Sequence, residues 1–387
     1  MRIAFFSSII HTGWGGSEEL WSRTAAALLN DGHEVSFNCG WTPVTPEPLR
    51  NLIKAGARPH LRRKRKLRLG RRLTRVLEKV RLAPPRYAGW LRKTNPDLVV
   101  ISLSWHLDDP QIANTCHSLG VPYVLVLQAA GANNWMTEST LPAFESAYRH
   151  ARQVYFVSPE NRQTLEANLG MDLSHTEIVD NPFAVHRNAA PAWPSNEPYW
   201  KLAMVARVHF ATKSQDLVLQ VLRAAKWRSR PLRVSLWGAD AGNLKQFQQL
   251  ARVYGLADTI SHCGFTNDIE ALWAEHHALL LPSRIEGNPL ALIEAMLCGR
   301  VPIVTNVGRA AELIDDNESG FIAPAATVEL IDKVLERAWQ RRHDWRDIGR
   351  RAAHDIRRRH SLTPAEDFAD RIVALVGTSK QAFARAA

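Results

Sequence analysis

Two runs of alternating strand-like and helix-like segments, separated by one proline-rich break, constrain this chain more than any other feature. Short apolar stretches at 3–7, 34–38, 97–102, 121–127 and 153–157 are spaced by segments of helical periodicity, 17–30 being the clearest. The alternation restarts at 202–206, 232–237, 259–263, 278–281 and 301–305. Such runs with helices between them describe mostly parallel sheets covered on both faces. Between the two sets, Pro191, Pro194 and Pro198 stand among Asn, Ala and Ser, the composition of an interdomain linker. A chain of 387 residues with 45% apolar content is long for one core and suits two. The pattern predicts a first domain over 1–186, a linker at 187–198, a second domain over 199–362 and a closing helix within 363–387.

The formal charge of +11 is local in origin. Residues 58–93 hold fifteen Lys and Arg against one acid, Glu78, and the rest of the chain is slightly acidic. Within this insert Leu69, Leu73, Val76, Leu77 and Val80 recur at helical spacing, which predicts a basic amphipathic helix. Such a helix suits an anionic membrane surface, or docks by its apolar stripe on its own domain with the Arg side chains solvated. The aromatic interleaving of a nucleic-acid motif is missing, which argues against nucleic acid as a partner. Cys39, Cys116, Cys263 and Cys298 are scattered, with no CxxC or Cys/His cluster, so neither a disulfide framework nor a zinc site is expected and a cytoplasmic setting is. The first ten residues lack a long apolar run and a cleavage site, and read as a strand rather than a signal peptide.

Chemistry concentrates just after predicted strands. The stretch Glu286-Gly-Asn-Pro-Leu-Ala-Leu-Ile-Glu294 joins the strand ending near Pro282 to a helix, with Asn288 expected as its N-cap, Pro289 as its first residue and Gly299 as the left-handed residue that ends it. A helix start offers unpaired N–H groups and a positive dipole end, so this turn can hold a sugar oxygen or a phosphate. Glu286 stands in the loop and Glu294 leans back from the second turn, so both can meet one ligand. Taken alone, two Glu eight apart are ordinary dipole compensation. A second loop, Val205-Ala-Arg-Val-His-Phe-Ala-Thr-Lys-Ser-Gln-Asp216, carries Arg207 and Lys213, a fork and a point charge able to neutralise a diphosphate. Two such charges in isolation are usually solvated. The loop His11-Thr-Gly-Trp-Gly-Gly-Ser17 follows the first strand, and Gly15 and Gly16 let backbone approach a ligand closely.

Read at full length, residues 282–299, Pro-Ser-Arg-Ile-Glu-Gly-Asn-Pro-Leu-Ala-Leu-Ile-Glu-Ala-Met-Leu-Cys-Gly, closely resemble the signature of the family four retaining glycosyltransferases. The resemblance implies the α/β GT-B architecture: two Rossmann-like domains facing each other across a cleft, with a C-terminal helix returning to the first. It is specific over 202–324 and architectural before 180. It implies that Arg207 and Lys213 clamp the diphosphate of a nucleotide sugar, that Glu286 contacts the transferred sugar, and that Glu294 holds the ribose. Gly287, Asn288, Pro289 and Leu290 would line the donor through their backbone, Gly16 would face its phosphates and Phe265 would frame the base. A common Gly before the Arg is replaced by Ala206, while Asp216 matches a common acid.

The implied reaction moves a sugar from the nucleotide donor to an acceptor hydroxyl of a glycan, glycolipid or small glycoside, with retained configuration. No cofactor is expected beyond the donor as co-substrate. No Asp-x-Asp motif is set in a loop to bind a divalent metal, and Asp108-Asp109 opens a predicted helix, where acids cap. Where many family members carry a His after the 121–127 strand, this chain has Gln128, which can hydrogen-bond a sugar hydroxyl but cannot serve as a proton carrier or cation. His106 and Trp14 are the other acceptor-side candidates, in first-domain loops. Two rival readings remain open: a same-fold nucleotide-sugar epimerase or hydrolase, and a non-catalytic binder of anionic surfaces on a lapsed transferase scaffold.

Overall fold

A computed structural model describes residues 1–9, 14–62, 85–195 and 198–386, and the basic helix expected around Leu69–Val80 lies outside them. The chain forms two compact units, Met1–Pro182 with Thr363–Ala387, and Phe183–Leu362. The segment 187–198, read above as a linker, belongs to the second unit. Ala189 is buried there, and the buried Arg300 guanidinium donates to the carbonyls of Pro191 and Ala192 at 3.2 and 2.6 Å. Proline spacing suggests an unattached segment only where nothing packs on it, and here a buried cation does.

The first unit is built on seven strands: β1 (Arg2–Ser7), β2 (Glu34–Gly40), β3 (Arg58–Arg62), β4 (Leu98–Leu103), β5 (Tyr123–Leu127), β6 (Gln153–Phe156) and β7 (Glu177–Ile178). Their order is β3-β2-β1-β4-β5-β6-β7, and the pairings are parallel. Alternate β1 side chains feed two cores. Ile3 and Phe5 pack with Leu20, Trp21 and Leu28 of the helix Gly16–Asn30, whereas Ala4 and Phe6 pack with Ile112, Cys116 and Phe144 on the other face. The last helix, Pro364–Ala386, returns to this unit and sets Phe368, Ile372 and Val376 into the first of these cores at spacings of four residues.

One basic stretch is not what its charge suggested. Residues 58–62 form an edge strand, paired with β2 from Ser36 opposite Arg58 to Gly40 opposite Arg62. Arg62 is buried rather than solvated or free for a membrane. Charge density hid the strand, because the alternation of Arg-Pro-His-Leu-Arg is carried by a cation at its last inward position.

The second unit has six strands: β8 (Trp200–Val205), β9 (Leu232–Trp237), β10 (Ile260–Gly264), β11 (Ala278–Leu281), β12 (Val301–Thr305) and β13 (Phe321–Ala323), ordered β10-β9-β8-β11-β12-β13. The order reverses at β8/β11 here and at β1/β4 in the first unit. Loops leaving the carboxyl ends of strands on either side of such a reversal diverge, which leaves room for a ligand between them. The residues singled out after β8 and β11 lie at that place.

Candidate functional site

In the second unit two loops meet at the β8/β11 reversal. The first leaves β8 through Ala206 and Arg207 and runs through the short helix Phe210–Lys213. Gly238 fixes its path: a Cβ there would lie 2.0 Å from the Ala206 carbonyl oxygen, so only glycine lets the strands approach. The buried Gln215 side chain donates to the Arg207 carbonyl at 2.9 Å and holds the loop from its far end. The Arg207 side chain is exposed and forms no ion pair among the described residues.

The second loop runs from Ser283 to Pro289 and opens the helix Leu290–Leu297. That helix starts one residue later than expected. Pro289 is its N-cap, with φ −70° and ψ 108°, and Asn288 is no cap. The Asn288 side chain is buried, with its amide nitrogen 3.4 Å from His360 Nε2, so it is turned away from the helix start. Gly299 does take the left-handed conformation, at φ +70°. Gly308 supports the turn from below: at φ +64° it has no Cβ, and one would come within 2.3 Å of the Gly287 carbonyl oxygen.

The two loops are laced together by charge. Lys213 Nζ meets Glu286 Oε1 at 2.5 Å, and the same oxygen accepts from Ser283 Oγ at 2.7 Å. Thr305 Oγ1 donates to the Ser283 carbonyl at 2.6 Å and keeps that serine in place. Running the other way, the Arg284 guanidinium grips Asp216 with two bonds of 3.1 Å and donates to the Phe210 carbonyl at 2.6 Å. The Arg284 backbone N–H also donates to the Thr212 carbonyl at 2.8 Å. Each loop thus contributes one cation and one acid to its neighbour. Planar bidentate pairing of this kind fixes orientation as well as distance. Arg284 and Gly308 were not singled out from the sequence. The signal for Arg284 is its place two residues before Glu286, matching Asp216 three residues after Lys213.

Glu294 is buried in the helix that follows and accepts the Ala184 N–H at 2.9 Å. Phe265, just past β10, is 70% exposed. Lys213, Glu286, Gly287, Asn288, Pro289, Leu290 and Glu294 are therefore brought to one place, with Arg207 at the start of the neighbouring loop.

The first unit treats its candidates differently. Gly16 begins the helix Gly16–Asn30 after an extended Gly15. Trp14 is partly buried and donates its Nε1–H to Glu19 at 2.6 Å. His106 is wholly buried: its Nε2 meets the Asn134 carbonyl at 2.8 Å, and its Nδ1 accepts the Gly131 N–H at 3.4 Å. Those bonds describe a neutral ring with the proton on Nε2, and burial holds its pKa below the usual histidine range. His106 is thus a support of the loop after β5, not a group presented to an acceptor. Gln128 is also buried, its Oε1 accepting from Asn181 Nδ2 at 2.8 Å. Asp108 is no helix cap either. It accepts from Ser8 Oγ, Ser104 Oγ and the Trp105 N–H, tying the loops after β1 and β4, while Asp109 accepts the Gln111 N–H at the helix start.

A buried polar group at the ends of β1, β2 and β3 escaped the sequence reading. Glu18, in the first turn after Gly15 and Gly16, accepts from Ser7 Oγ at 2.7 Å and Trp21 Nε1 at 2.5 Å. Burial pushes its carboxyl up to about 7, against the lowering effect of those bonds and of Arg62. Arg62 donates to the Asn38 carbonyl and side-chain oxygen at 2.8 and 2.6 Å and to the Ser7 carbonyl, and its guanidinium lies 4.2 Å from the Phe6 ring centroid.

Known proteins match this arrangement over both units. The family model described as "Glycosyltransferase Family 4" matches residues 14–187, and "Glycosyl transferases group 1" matches 186–352. An uncharacterized glycosyltransferase of Haemophilus influenzae is 29% identical over 130 residues, covering 33% of this chain and 36% of that protein. Glycogen synthase of a Marinomonas species is 29% identical over 191 residues, 48% of this chain and 39% of that one. The chain thus spans little more than a third of the length of these curated relatives. Among solved structures, Anabaena HepE in complex with UDP superposes with a TM-score of 0.73 at 17% identity, over 97% of this chain and 100% of that one. Sucrose-phosphate synthase of Thermosynechococcus elongatus gives 0.71 at 14% identity, over 100% of each. These likenesses define two Rossmann-like units of the GT-B class. Within that class the chain belongs to the family four glycosyltransferases.

Proposed function

We propose that this glycosyltransferase takes a hexosyl group from a nucleotide sugar and transfers it, with retained configuration and without a divalent metal, to an acceptor hydroxyl. The observation that carries the reading is the Lys213–Glu286 contact of 2.5 Å at the start of a helix, with Arg207 exposed on the adjoining loop. When a diphosphate enters, Lys213 turns part of its charge from Glu286 to phosphate oxygen, and Arg207 adds its fork. Both steady the negative charge that grows as the nucleotide leaves. Glu286, relieved of part of its partner, accepts from a hydroxyl of the transferred sugar, and Glu294 from the ribose. The leaving phosphate, on the same face as the attacking hydroxyl, takes the acceptor proton. In support of a metal-free transfer, the positive charge gathered at this place is carried by side chains: Lys213 beside Glu286 and Arg284 beside Asp216. Free Cys39, Cys116, Cys263 and Cys298 suit a reducing, cytoplasmic setting.

HepE was solved with UDP and with UDP-glucose, so these are the first ligands to try. A ligand that binds only the folded state at a hundred times its Kd adds about 2.7 kcal/mol to stability. UDP and UDP-glucose are expected to raise the melting temperature, and Lys213→Ala to abolish the rise. A flat response to uridine, guanosine and adenosine diphosphates and their sugars at millimolar concentration would sink the transferase reading. Sugar released from the donor at an undiminished rate without any acceptor would instead identify a hydrolase.

A further inference from the structure

The loop between β5 and the helix Leu141–Arg149 carries Trp135, which is 61% exposed. A single exposed indole is ordinary on a protein surface. The firmness with which the chain is held on both sides of this one is not. On one side Asn134 is fastened through its carbonyl to the buried His106, at 2.8 Å, and through its N–H to the Gly131 carbonyl, at 3.0 Å. On the other side the Met136 N–H donates to Asn168 Oδ1 at 3.2 Å. Gly131 lies so close beneath Trp105 that a Cβ would fall 2.5 Å from the ring, which fixes the loop's approach.

A rigid aromatic side chain on a fixed loop loses little freedom when a ligand covers it. Its surroundings say what kind of ligand. The exposed hydroxyls of Thr137, Ser139 and Thr140 cluster two to five residues on, at 3.1 and 3.0 Å from one another through Thr137. Residues 128–140 include no Lys or Arg, so nothing there recognises a phosphate. The loop leaves the carboxyl edge of the parallel sheet, where ligands of open α/β folds gather. An uncharged ligand with one apolar face and many hydroxyls fits this combination, and a pyranose ring is such a ligand.

We infer that Trp135 is the stacking platform for a pyranose ring of a carbohydrate acceptor, with the hydroxyls of Thr137 and its neighbours meeting those of the sugar. The inference rests on the glycosyltransferase reading and gives its acceptor a chemical class. It assigns His106 a positioning role, through the Asn134 carbonyl. The test uses the full-length protein on an array of glucose, galactose, mannose and N-acetylglucosamine oligosaccharides, in the presence of UDP, with the thermal shift caused by UDP measured alongside.

Wild type is expected to be retained on at least one of these sugars. Trp135→Ala should reduce that retention about tenfold, ~1.4 kcal/mol, while Trp135→Phe keeps most of it. All three proteins should show the same UDP shift and the same melting temperature without ligand. Undiminished retention of Trp135→Ala overturns the inference. So does a wild type that binds none of the sugars while its UDP shift persists, or one whose binding to phosphatidylglycerol vesicles, rather than to sugars, depends on Trp135. A wild type that gives no thermal shift with UDP or with the guanosine and adenosine diphosphates and their sugars would instead remove the transferase reading beneath it.

Discussion

The carboxyl edges of the two sheets reverse strand order in the same way and treat charge in opposite ways. In the second unit the ionic side chains pair with one another and keep an edge toward water, Lys213 and Glu286 at 19% and 9% exposure, Arg284 and Asp216 at 34% and 22%. In the first unit Arg62 and Glu18 are withdrawn among backbone carbonyls and aromatic rings. A pair near water exchanges partners cheaply, so an incoming phosphate can replace Glu286 beside Lys213. A buried ion cannot exchange, because each of its bonds compensates a desolvation cost of several kcal/mol. On the proposed function, charge serves the ligand at Lys213 and Glu286 and the fold at Arg62 and Glu18, in keeping with an acceptor held by neutral groups such as Trp135.

The sharpest way to break this contrast is to remove one cation from each unit. Arg62→Met leaves the carbonyls of Ser7 and Asn38 without their donor, and should cost about 3–5 kcal/mol in urea unfolding. A loss below about 1 kcal/mol would mean that Arg62 is solvated, and the contrast would fail. Lys213→Ala should cost less than Arg62→Met, since the Glu286 carboxylate keeps the Ser283 hydroxyl and an edge toward water. In a UDP-glucose assay the same variant should lower kcat by about 10²–10³-fold, the usual effect of deleting one group that stabilises developing charge. Equal kcat values would show that the leaving diphosphate is steadied elsewhere.

Legibility in the sequence followed the same division. The five clear strands of each set, the helix 17–30 and the Glu286–Glu294 turn were readable because each is written locally, as apolar runs or as residues adjacent in sequence. The two-residue β7 and three-residue β13 are too short to carry a period, and β3 is masked by its charge. The fastening of one site loop to the other by Arg284 and Asp216 joins residues 68 apart, which no local pattern reveals. His106 looked available because a polar residue after a strand usually is. Its burial depends on Gly131 and Asn134, which reach it only once β4 and β5 are paired.

Glu18 sharpens the contrast through pH. The folded protein keeps its carboxyl proton up to about 7, whereas the ordinary value is 4.5. The folded state therefore binds the proton more tightly, and this contribution to stability is complete below pH 4.5 and lost as pH rises through about 7. By linkage the loss is about 3 kcal/mol. Glu18→Gln stays neutral, so its unfolding free energy should fall less over that window than the wild type's. Parallel pH profiles would mean that Glu18 is ionised throughout, with Arg62 as its counter-charge.

The smallest expected effect concerns the paired loops themselves. If the Arg284–Asp216 fork only stiffens the second unit, its removal lowers stability and leaves the donor kinetics of the folded fraction alone. If it sets the position of Lys213, Arg284→Ala and Asp216→Ala should each weaken UDP binding by about tenfold, ~1.4 kcal/mol, with little change in melting temperature. The double charge swap, Asp216→Arg with Arg284→Asp, decides between these. It restores an ion pair but not the bond from Arg284 to the Phe210 carbonyl, so UDP affinity should recover in part, with a coupling energy of about 0.5–3 kcal/mol. Strict additivity of the two single changes would show that the loops are held by their backbone bonds alone, chiefly the one from the Arg284 N–H to the Thr212 carbonyl.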